Sequence, residues 1–321
     1  MLLVLTNSQD VTAAFLTTSL EKAGIPFLRL DTDQLVPRVS FSYRVGSPAL
    51  KVDGRWLGPD EVTNIWYRRP EALKSPQFDA TPEGKYALAE WTEFTECFFS
   101  HVPRAKWMNH PAANAGASRK LEQLTTAKSL GFSVPDSLVT QEPDDLLAFY
   151  TKHGQRIIVK PVSTGYVERA EAQQDSLVYT NQVLEEHLKD LSDLKVCPAF
   201  FQQCIQKDYD VRITSVDDDL HAVALFASDD SGAQRCDIRR NNMADVRYKG
   251  IELPTAVENG ISRLMKHYGL RFSAIDMAVT SEGNWCFFEI NANGQWAWLD
   301  QCAGTNIAGS FVKSFSHQGT R

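Results

Sequence analysis

The sequence predicts an α/β (α+β) fold, and three observations carry that expectation. An apolar run over residues 1–5 breaks at Thr6-Asn7-Ser8 and is followed by a helical segment and a second apolar run. Strand-like and helix-like segments go on alternating along the chain. The last third closes on two strand-like segments joined by a polar turn from Thr280 to Asn284. With 321 residues, 43% hydrophobic and 23% charged, the chain can bury a sizeable core and is not disordered. Its 33 Lys+Arg against 40 Asp+Glu give a net charge of -7, which offers no general field for a polyanion, so nucleic acid is disfavoured. The six cysteines, at 97, 197, 204, 236, 286 and 302, include no CxxC pair, which points to reduced thiols and away from structural zinc. The first apolar run is too short for a signal peptide, and none later reaches the roughly 20 residues of a membrane span. A cytoplasmic protein is expected.

In chain order, residues 2–5 read as a buried strand, Asp10 as an N-cap, 11–23 as a helix ended by Gly24, and 27–30 as a second strand. The loop between lacks G-x-G-x-x-G, which disfavours a nicotinamide-dependent dehydrogenase. Short strand-like pieces near 41–45 and 50–57 lead to Asn64, Ile65 and Trp66-Tyr67-Arg68-Arg69-Pro70. A long helix is expected over 81–101, with Trp91, Phe94 and Phe98 at helical spacing as core contacts. Asn109-His110-Pro111 marks a boundary before a helix over 117–130. Strands ending at Thr140 and Lys160 and an acidic, amphipathic helix over 181–191 follow. The last third has strands at 210–216 and 220–226, a helix over 255–267, and the hairpin 272–279 with 285–291. This divides the chain into three units, 1–110, 111–199 and 200–321.

The final hairpin carries the most chemistry. Period-two alternation puts Glu289 and Asn291 on one strand face, with Asp276 opposite them on the partner strand. Two carboxylates and an amide oxygen make an all-oxygen donor set for a hard cation such as Mg²⁺. The competing reading is the solvent side of a half-exposed hairpin. Against it, alternation puts Trp285 and Phe287 on the glutamate's face, with Ile275, Met277, Val279, Phe288 and Ile290 on the other. Lys160 ends an apolar strand and precedes Pro161-Val162-Ser163-Thr164-Gly165, whose backbone N–H groups suit a phosphate. Lys120 lies upstream, on the helix after the boundary loop; taken singly, either lysine also reads as a surface charge. Arg212 shares a strand face with Asp210, and is either a neutraliser of a transferred phosphoryl group or a surface ion-pair partner.

The ordered set Lys120, Lys160, Gln202-Gln203-Cys204-Ile205, Asp276 and Glu289-Ile290-Asn291 resembles the ATP-grasp superfamily. The resemblance implies an ATP-grasp fold with an N-terminal pre-ATP-grasp α/β domain. It implies ATP phosphates on Lys120 and Lys160, and adenine on the hinge formed by Gln202, Gln203, Cys204 and Ile205, with Asp208 in the same ATP-binding set. Asp276, Glu289 and Asn291 would hold Mg²⁺, Arg212 would be the catalytic cation, and the chemistry would be phosphorylation of a carboxylate to an acylphosphate. The likeness sharpens toward the graspetide synthetases, the microviridin-type macrocyclases of ribosomal peptides. It rests on Trp66-Tyr67-Arg68-Arg69-Pro70, Asn109-His110-Pro111, Lys120-Leu-Glu-Gln-Leu124, Asp210-Val-Arg212, Ala274-Ile-Asp276-Met277 and Glu289-Ile-Asn-Ala-Asn-Gly-Gln-Trp296. Such enzymes join Ser, Thr or Lys side chains of a precursor to its own Asp or Glu. The implied partner is a precursor peptide of leader plus core, the implied assembly a homodimer, with no nucleic acid or membrane.

Two features depart from the pattern: Gln203 stands where the hinge usually carries Glu, and the glycine-rich loop is reduced to Ser163-Thr164-Gly165-Tyr166. The segment Asp237-Ile238-Arg239-Arg240-Asn241-Asn242 resembles the family's Asp-x-Arg substrate surface, making Asp237, Arg239 and Arg240 candidates for peptide binding; a solvated loop is the alternative. Arg68 and Arg69 read as structural, His110 as a local hydrogen-bonding residue, and Trp296 and Trp298 as cleft walls or core closure. Two other functions stay open: a carboxylate–amine ligase that appends a free amino acid, and a non-catalytic nucleotide- or peptide-binding protein.

Overall fold

The computed structural model describes the chain apart from residues 75–77, 79–80, 164, 168–175, 229–231, 241–242 and 317–321. Thr164, Asn241 and Asn242 therefore lie outside the described residues.

The strand Leu2–Thr6 sits between Phe27–Asp31 and Asn64–Tyr67 in a parallel sheet completed by Trp107–Met108. All of its residues are buried, as a parallel strand covered on both faces requires. Leu2 and Val4 join a core with Leu16 and Leu20 of the helix Val11–Lys22 and with Trp296 and Phe311 from the far end of the chain. Leu3 and Leu5 join a second core with Phe98, Trp107 and a small antiparallel sheet, Val39–Arg44, Ser47–Val52 and Arg55–Leu57. Asp10 caps the first helix by accepting from the Thr12 and Ala13 N–H groups at 2.9 and 3.1 Å. Thr81 caps Pro82–Ser100, which buries Phe98 but leaves Phe94 49% exposed, so only part of the expected aromatic stripe is core.

Two expectations need correction here. The helix expected over 117–130 runs from Lys120 to Ser129, and a further helix, Pro111–Ala117, stands where only a boundary loop was expected. His110 caps the first, accepting from the Ala112 N–H at 3.2 Å, and Pro111 occupies the first turn, where its missing N–H costs nothing. The boundary signal was thus itself a helix start. The acidic segment over 181–191 is not a helix. Asn181–Gln182 is an edge strand against Ile157–Lys160, and Glu185–Leu188 is a single 3₁₀ turn. Pairing with the sheet overrides the local pattern, whose apolar members Val183, Leu188 and Leu191 instead pack into or against a small core with Phe149, Ile157 and Phe201.

Two larger antiparallel sheets follow, beside a short antiparallel pair, Tyr166–Val167 with Ser176–Leu177. The smaller runs Asn181–Gln182, Ile157–Lys160, Ala199–Gln203, Ser137–Thr140. The larger runs Arg247–Ile251, Asp219–Phe226, Lys207–Val216, Phe272–Thr280, Trp285–Asn291. One face of the larger sheet, with Val211, Ile213, Ile275 and Phe287, packs on Leu124 of Lys120–Ser129 and on Ile261 and Leu264 of Thr255–Tyr268. On the other face Val216, Val223 and Phe272 pack against the N-terminal unit, and the same strand positions further along carry charge. Among the described residues no helix is long and apolar enough to cross a membrane.

Candidate functional site

The charged face is built by register. Arg212 pairs with Asp276, and Asp276 with Glu289, so the three lie side by side across three strands, with Asp210 and Asn291 each two residues further along. Arg212 donates from Nη1 to Asp276 Oδ1 at 2.7 Å and from Nη2 to the Gln295 carbonyl at 3.1 Å. Its ion-pair partner is therefore Asp276, not the Asp210 considered from the sequence. Asp210 pairs with Lys207 at 2.6 Å.

A bulge corrects the expected alternation. Register shifts between Asp276 and Met277, leaving Phe288 as the extra residue of the last strand. Phe287 and Trp285 consequently pack with the core, while Phe288 lines the cavity beside Glu289, the reverse of the expected phenylalanine placement. A second irregularity, between Lys207 and Tyr209, falls on Asp208, which is exposed and outside the cavity lining.

That cavity, of about 470 Å³, lies between the charged face and the smaller sheet, a volume typical of small-molecule pockets. Asp276, Glu289, Asn291 and Arg212 line it from one side, Lys160 and Gln202 from the other, with Gln203, Cys204 and Ile205 at the connection and Lys120 nearby. Among the described residues no three His, Cys, Asp or Glu side chains converge, so the donor set here is two carboxylates with the Asn291 amide. Burial, and after it the neighbouring Asp276, push the Glu289 carboxyl up, a cost of the charged form that a bound cation would offset.

The lysines are positioned by backbone contacts. The Gln123 side chain bridges helix and sheet, donating to the Ile290 carbonyl at 2.9 Å and accepting from its N–H at 3.0 Å. This fixes the helix that Lys120 begins. Lys120 Nζ donates to the carbonyls of Pro161 and Ser163 at 3.2 and 3.1 Å, tying it to the loop after Lys160. In that loop Gly165 has φ +71°, and a Cβ there would stand 2.7 Å from Pro161 Cγ. Lys160 lies over the Phe200 ring at 5.2 Å, and burial pushes its ammonium down to about 8. Among the described residues it has no carboxylate within ion-pair distance.

At the hinge, Gln202 is buried and donates to Ser137 Oγ at 2.8 Å. The N–H groups of Gln203 and Cys204 donate to the Asp136 and Arg156 carbonyls. Among the described residues the Ile205 N–H meets no acceptor. Cys204 and Cys236 also line the cavity, but burial raises both thiols, Cys236 to about 11, which leaves them poor nucleophiles.

No protein-family model and no curated protein sequence matches the chain. Solved structures do match it over its whole length. The macrocyclase MdnC of Microcystis aeruginosa MRC, solved bound with the precursor peptide MdnA, is 26% identical over 98% of this chain and 99% of that one, with a TM-score of 0.84. A RiPP-associated ATP-grasp ligase of Chryseobacterium gregarium, in complex with ADP and a leader and core peptide, is 26% identical over 100% and 97%, with a TM-score of 0.85. The chain resembles the RiPP-associated ATP-grasp macrocyclases. A third such structure, the macrocyclase MdnB of Microcystis aeruginosa MRC, is 25% identical over 98% and 99%, with a TM-score of 0.77.

Within this ATP-grasp fold the remaining candidates are placed as follows. Asp237 and Arg239 line the cavity and hold each other through two hydrogen bonds of 2.9 and 2.7 Å. Arg240 is outside the lining and donates to the Thr180 carbonyl and to Asn181 Oδ1. Both guanidiniums lie 5.8 Å from the Tyr179 ring. Arg240 thus fastens this part of the chain to the edge of the smaller sheet, while Arg239 stays exposed. Trp296 is fully buried and stacked on Phe311, whereas Trp298 reaches the cavity. Gly294 lets this turn close, since a Cβ there would stand 2.2 Å from Ala274 Cβ and 3.1 Å from Arg212 Nη2.

Sequence reasoning did not assign Lys207 or Arg69 to the cavity, although both line it. Lys207 stood next to a bulge that spacing does not reveal. Arg69 stood in a quoted motif, but its nearness to the last strand depends on contacts 224 residues apart.

Proposed function

We propose that this protein is an ATP- and Mg²⁺-dependent ligase that activates Asp or Glu side chains of a ribosomal precursor peptide as acylphosphates and closes ester or amide crosslinks within that peptide. The observation that carries this reading is the end-to-end match to a macrocyclase bound with its precursor, at a TM-score of 0.84. The cavity agrees with it in its chemistry. Lys120 and Lys160 bracket a position for the triphosphate, and the free Ile205 N–H gives adenine a backbone donor. Asp276, Glu289 and Asn291 would hold Mg²⁺, and the observation that fits them to it is their all-oxygen donor set, two carboxylates and an amide on neighbouring strands lining the cavity. When bound, the ion would offset the charge on the phosphate oxygens. Arg212, held by Asp276 and the Gln295 carbonyl, places a fixed positive charge where the phosphoryl group moves. The peptide carboxylate attacks the γ-phosphorus, ADP leaves, and a hydroxyl or amine of the same peptide then displaces phosphate from the acylphosphate. The reading extends to Asp237 and Arg239 as a peptide-facing wall, to action in the cytoplasm, and to a homodimer, which mass photometry of the purified protein decides.

The test is intact-mass measurement after incubation with ATP, Mg²⁺ and the precursors encoded beside this chain. Loss of one water per bond formed is expected. A mass gain would identify an amino-acid ligase instead, and unchanged precursor mass despite ATP consumption would reject crosslinking.

The buried ammonium of Lys160 sets a pH dependence. With its pKa held near 8 by burial, the charged form that attracts phosphate is present below that pH and is lost above it. The kcat/KM for ATP, which reports the free enzyme, is expected to fall about tenfold between about pH 7 and pH 9. Lys160→Arg should abolish this fall in the pH–rate profile. A wild-type profile flat through that range would remove Lys160 from the phosphate site.

A further inference from the structure

The strand Trp285–Asn291, which carries Glu289 and Asn291, is the last of its sheet, with Phe272–Thr280 on one side. The outward N–H and C=O groups of such an edge strand ordinarily face water. Here the helix Lys120–Ser129 and the residues after it cover them. The Phe287 N–H donates to the Ser133 carbonyl at 2.8 Å. Ile290 is met by a side chain instead: Gln123 Nε2 donates to its carbonyl at 2.9 Å, and Gln123 Oε1 accepts from its N–H at 3.0 Å. One amide thus gives a donor and an acceptor to the same residue, as the backbone of a neighbouring strand would. Gln123 Nε2 also donates to the Ala117 carbonyl at 2.5 Å, so both of its N–H bonds and its oxygen are in use, and the side chain is buried.

The two contacts bracket the bulge. Phe287 is fastened before the extra residue Phe288 and Ile290 after it, with Glu289 next to the second fastening. A bulge re-aims the side chains beside it, so its register has to be held. Ile290 packs in the core while Glu289 and Asn291, on either side of it, line the cavity, so the orientation of the Ile290 backbone sets both of them at once. Gln123 itself is outside the cavity lining and acts through Ile290. It stands about one helical turn from Lys120, whose ammonium is tied separately to the carbonyls of Pro161 and Ser163. We propose that Gln123 is a positioning residue that holds Glu289 and Asn291 in the geometry that takes the divalent cation and fixes them relative to the phosphate lysine Lys120; this rests on the ligase reading above. The phosphate side of the cavity keeps its own supports, so the effect of Gln123 is directed at the metal.

The experiment reads metal binding without turnover. Mn²⁺ is the probe, its affinity measured by electron paramagnetic resonance with enzyme in excess over ADP, and the affinity for ADP without metal is measured alongside by calorimetry. Gln123→Met keeps the length of the side chain and removes all three hydrogen bonds. It is expected to weaken Mn²⁺ binding about 10- to 100-fold, the scale of losing a group that orients metal ligands, while ADP without metal binds as to wild type. Added to Asn291→Ala, it should weaken Mn²⁺ little further, because both changes act on one ligand set. Undiminished Mn²⁺ affinity in Gln123→Met overturns the proposal, as does an equal loss of metal-free ADP affinity, which would make Gln123 a support of the fold alone. Should Gln123→Met unfold, Gln123→Glu carries the same measurement, since it keeps the acceptor for the Ile290 N–H and loses the donors. Should Glu289→Gln and Asn291→Ala both bind Mn²⁺ as wild type does, the metal reading fails and takes this assignment with it; weakened binding in those two beside wild-type binding in Gln123→Met removes this assignment alone.

Discussion

Glu289→Gln is expected to lower ATP-dependent turnover by about 100- to 1,000-fold, the scale of removing one preorganised charge-stabilising group from a phosphoryl-transfer site, while the protein stays folded. The substitution keeps the shape of the side chain and removes only its charge. In the protein without bound cation, that charge is a burden. Burial and Asp276 raise the Glu289 carboxyl, and a carboxyl raised in the folded state costs stability at any pH above its unfolded value. Removing it therefore leaves the unfolding temperature unchanged or higher, whereas losing a carboxylate that served the fold would lower it. The concentration of Mg²⁺ needed for half-maximal rate should rise at the same time. Turnover and Mg²⁺ dependence both equal to wild type would remove Glu289 from the metal site.

The second large effect is on stability. Arg68 has no exposed surface, and its Nε lies 3.2 Å from Asp10 Oδ2 without hydrogen-bond alignment. Nη1 donates to the Asn293 carbonyl and to that of Gly294 at 3.1 Å. Arg68→Ala leaves Asp10 buried and unpaired and strips a donor from the turn after Asn291. We expect a loss of about 3–5 kcal/mol, the usual result of breaking a buried pair from one side, read by denaturant unfolding. The double variant with Asp10→Asn should recover part of the loss, because it removes the orphaned charge. Because the same turn carries Gly294 and Gln295 beside Arg212, residual activity should also fall. An unfolding midpoint unchanged in Arg68→Ala would show that the N-terminal unit does not hold this turn.

Both predictions concern residues that could be named from the sequence, and the reason is physical. Lys160 ends an apolar strand, Glu289 and Asn291 share a period-two face, and Asp10 stands before a helical run, so each sits where local pattern and function coincide. What spacing could not reveal was any event that breaks a period. The extra residue at Phe288 exchanged the faces of two phenylalanines, and the irregularity at Asp208 turned that carboxylate outward. Residues 181–191 showed the opposite failure, since a helical pattern yielded to an edge strand that the sheet could pair. Partners were less legible still. Nothing local says that Arg212 chooses Asp276 over the nearer Asp210, or that Arg69 reaches a carbonyl 224 residues away.

Carboxylate activation by phosphoryl transfer is tested most directly by one isotope measurement. A precursor whose reacting Asp or Glu carries the heavy oxygen isotope is incubated with the enzyme, ATP and Mg²⁺, and the phosphate released is analysed by mass. One heavy oxygen per bond formed should appear in inorganic phosphate, because the acylphosphate releases the carboxylate oxygen bonded to phosphorus. Crosslinked peptide accompanied by unlabelled phosphate, or by label in AMP, would contradict it.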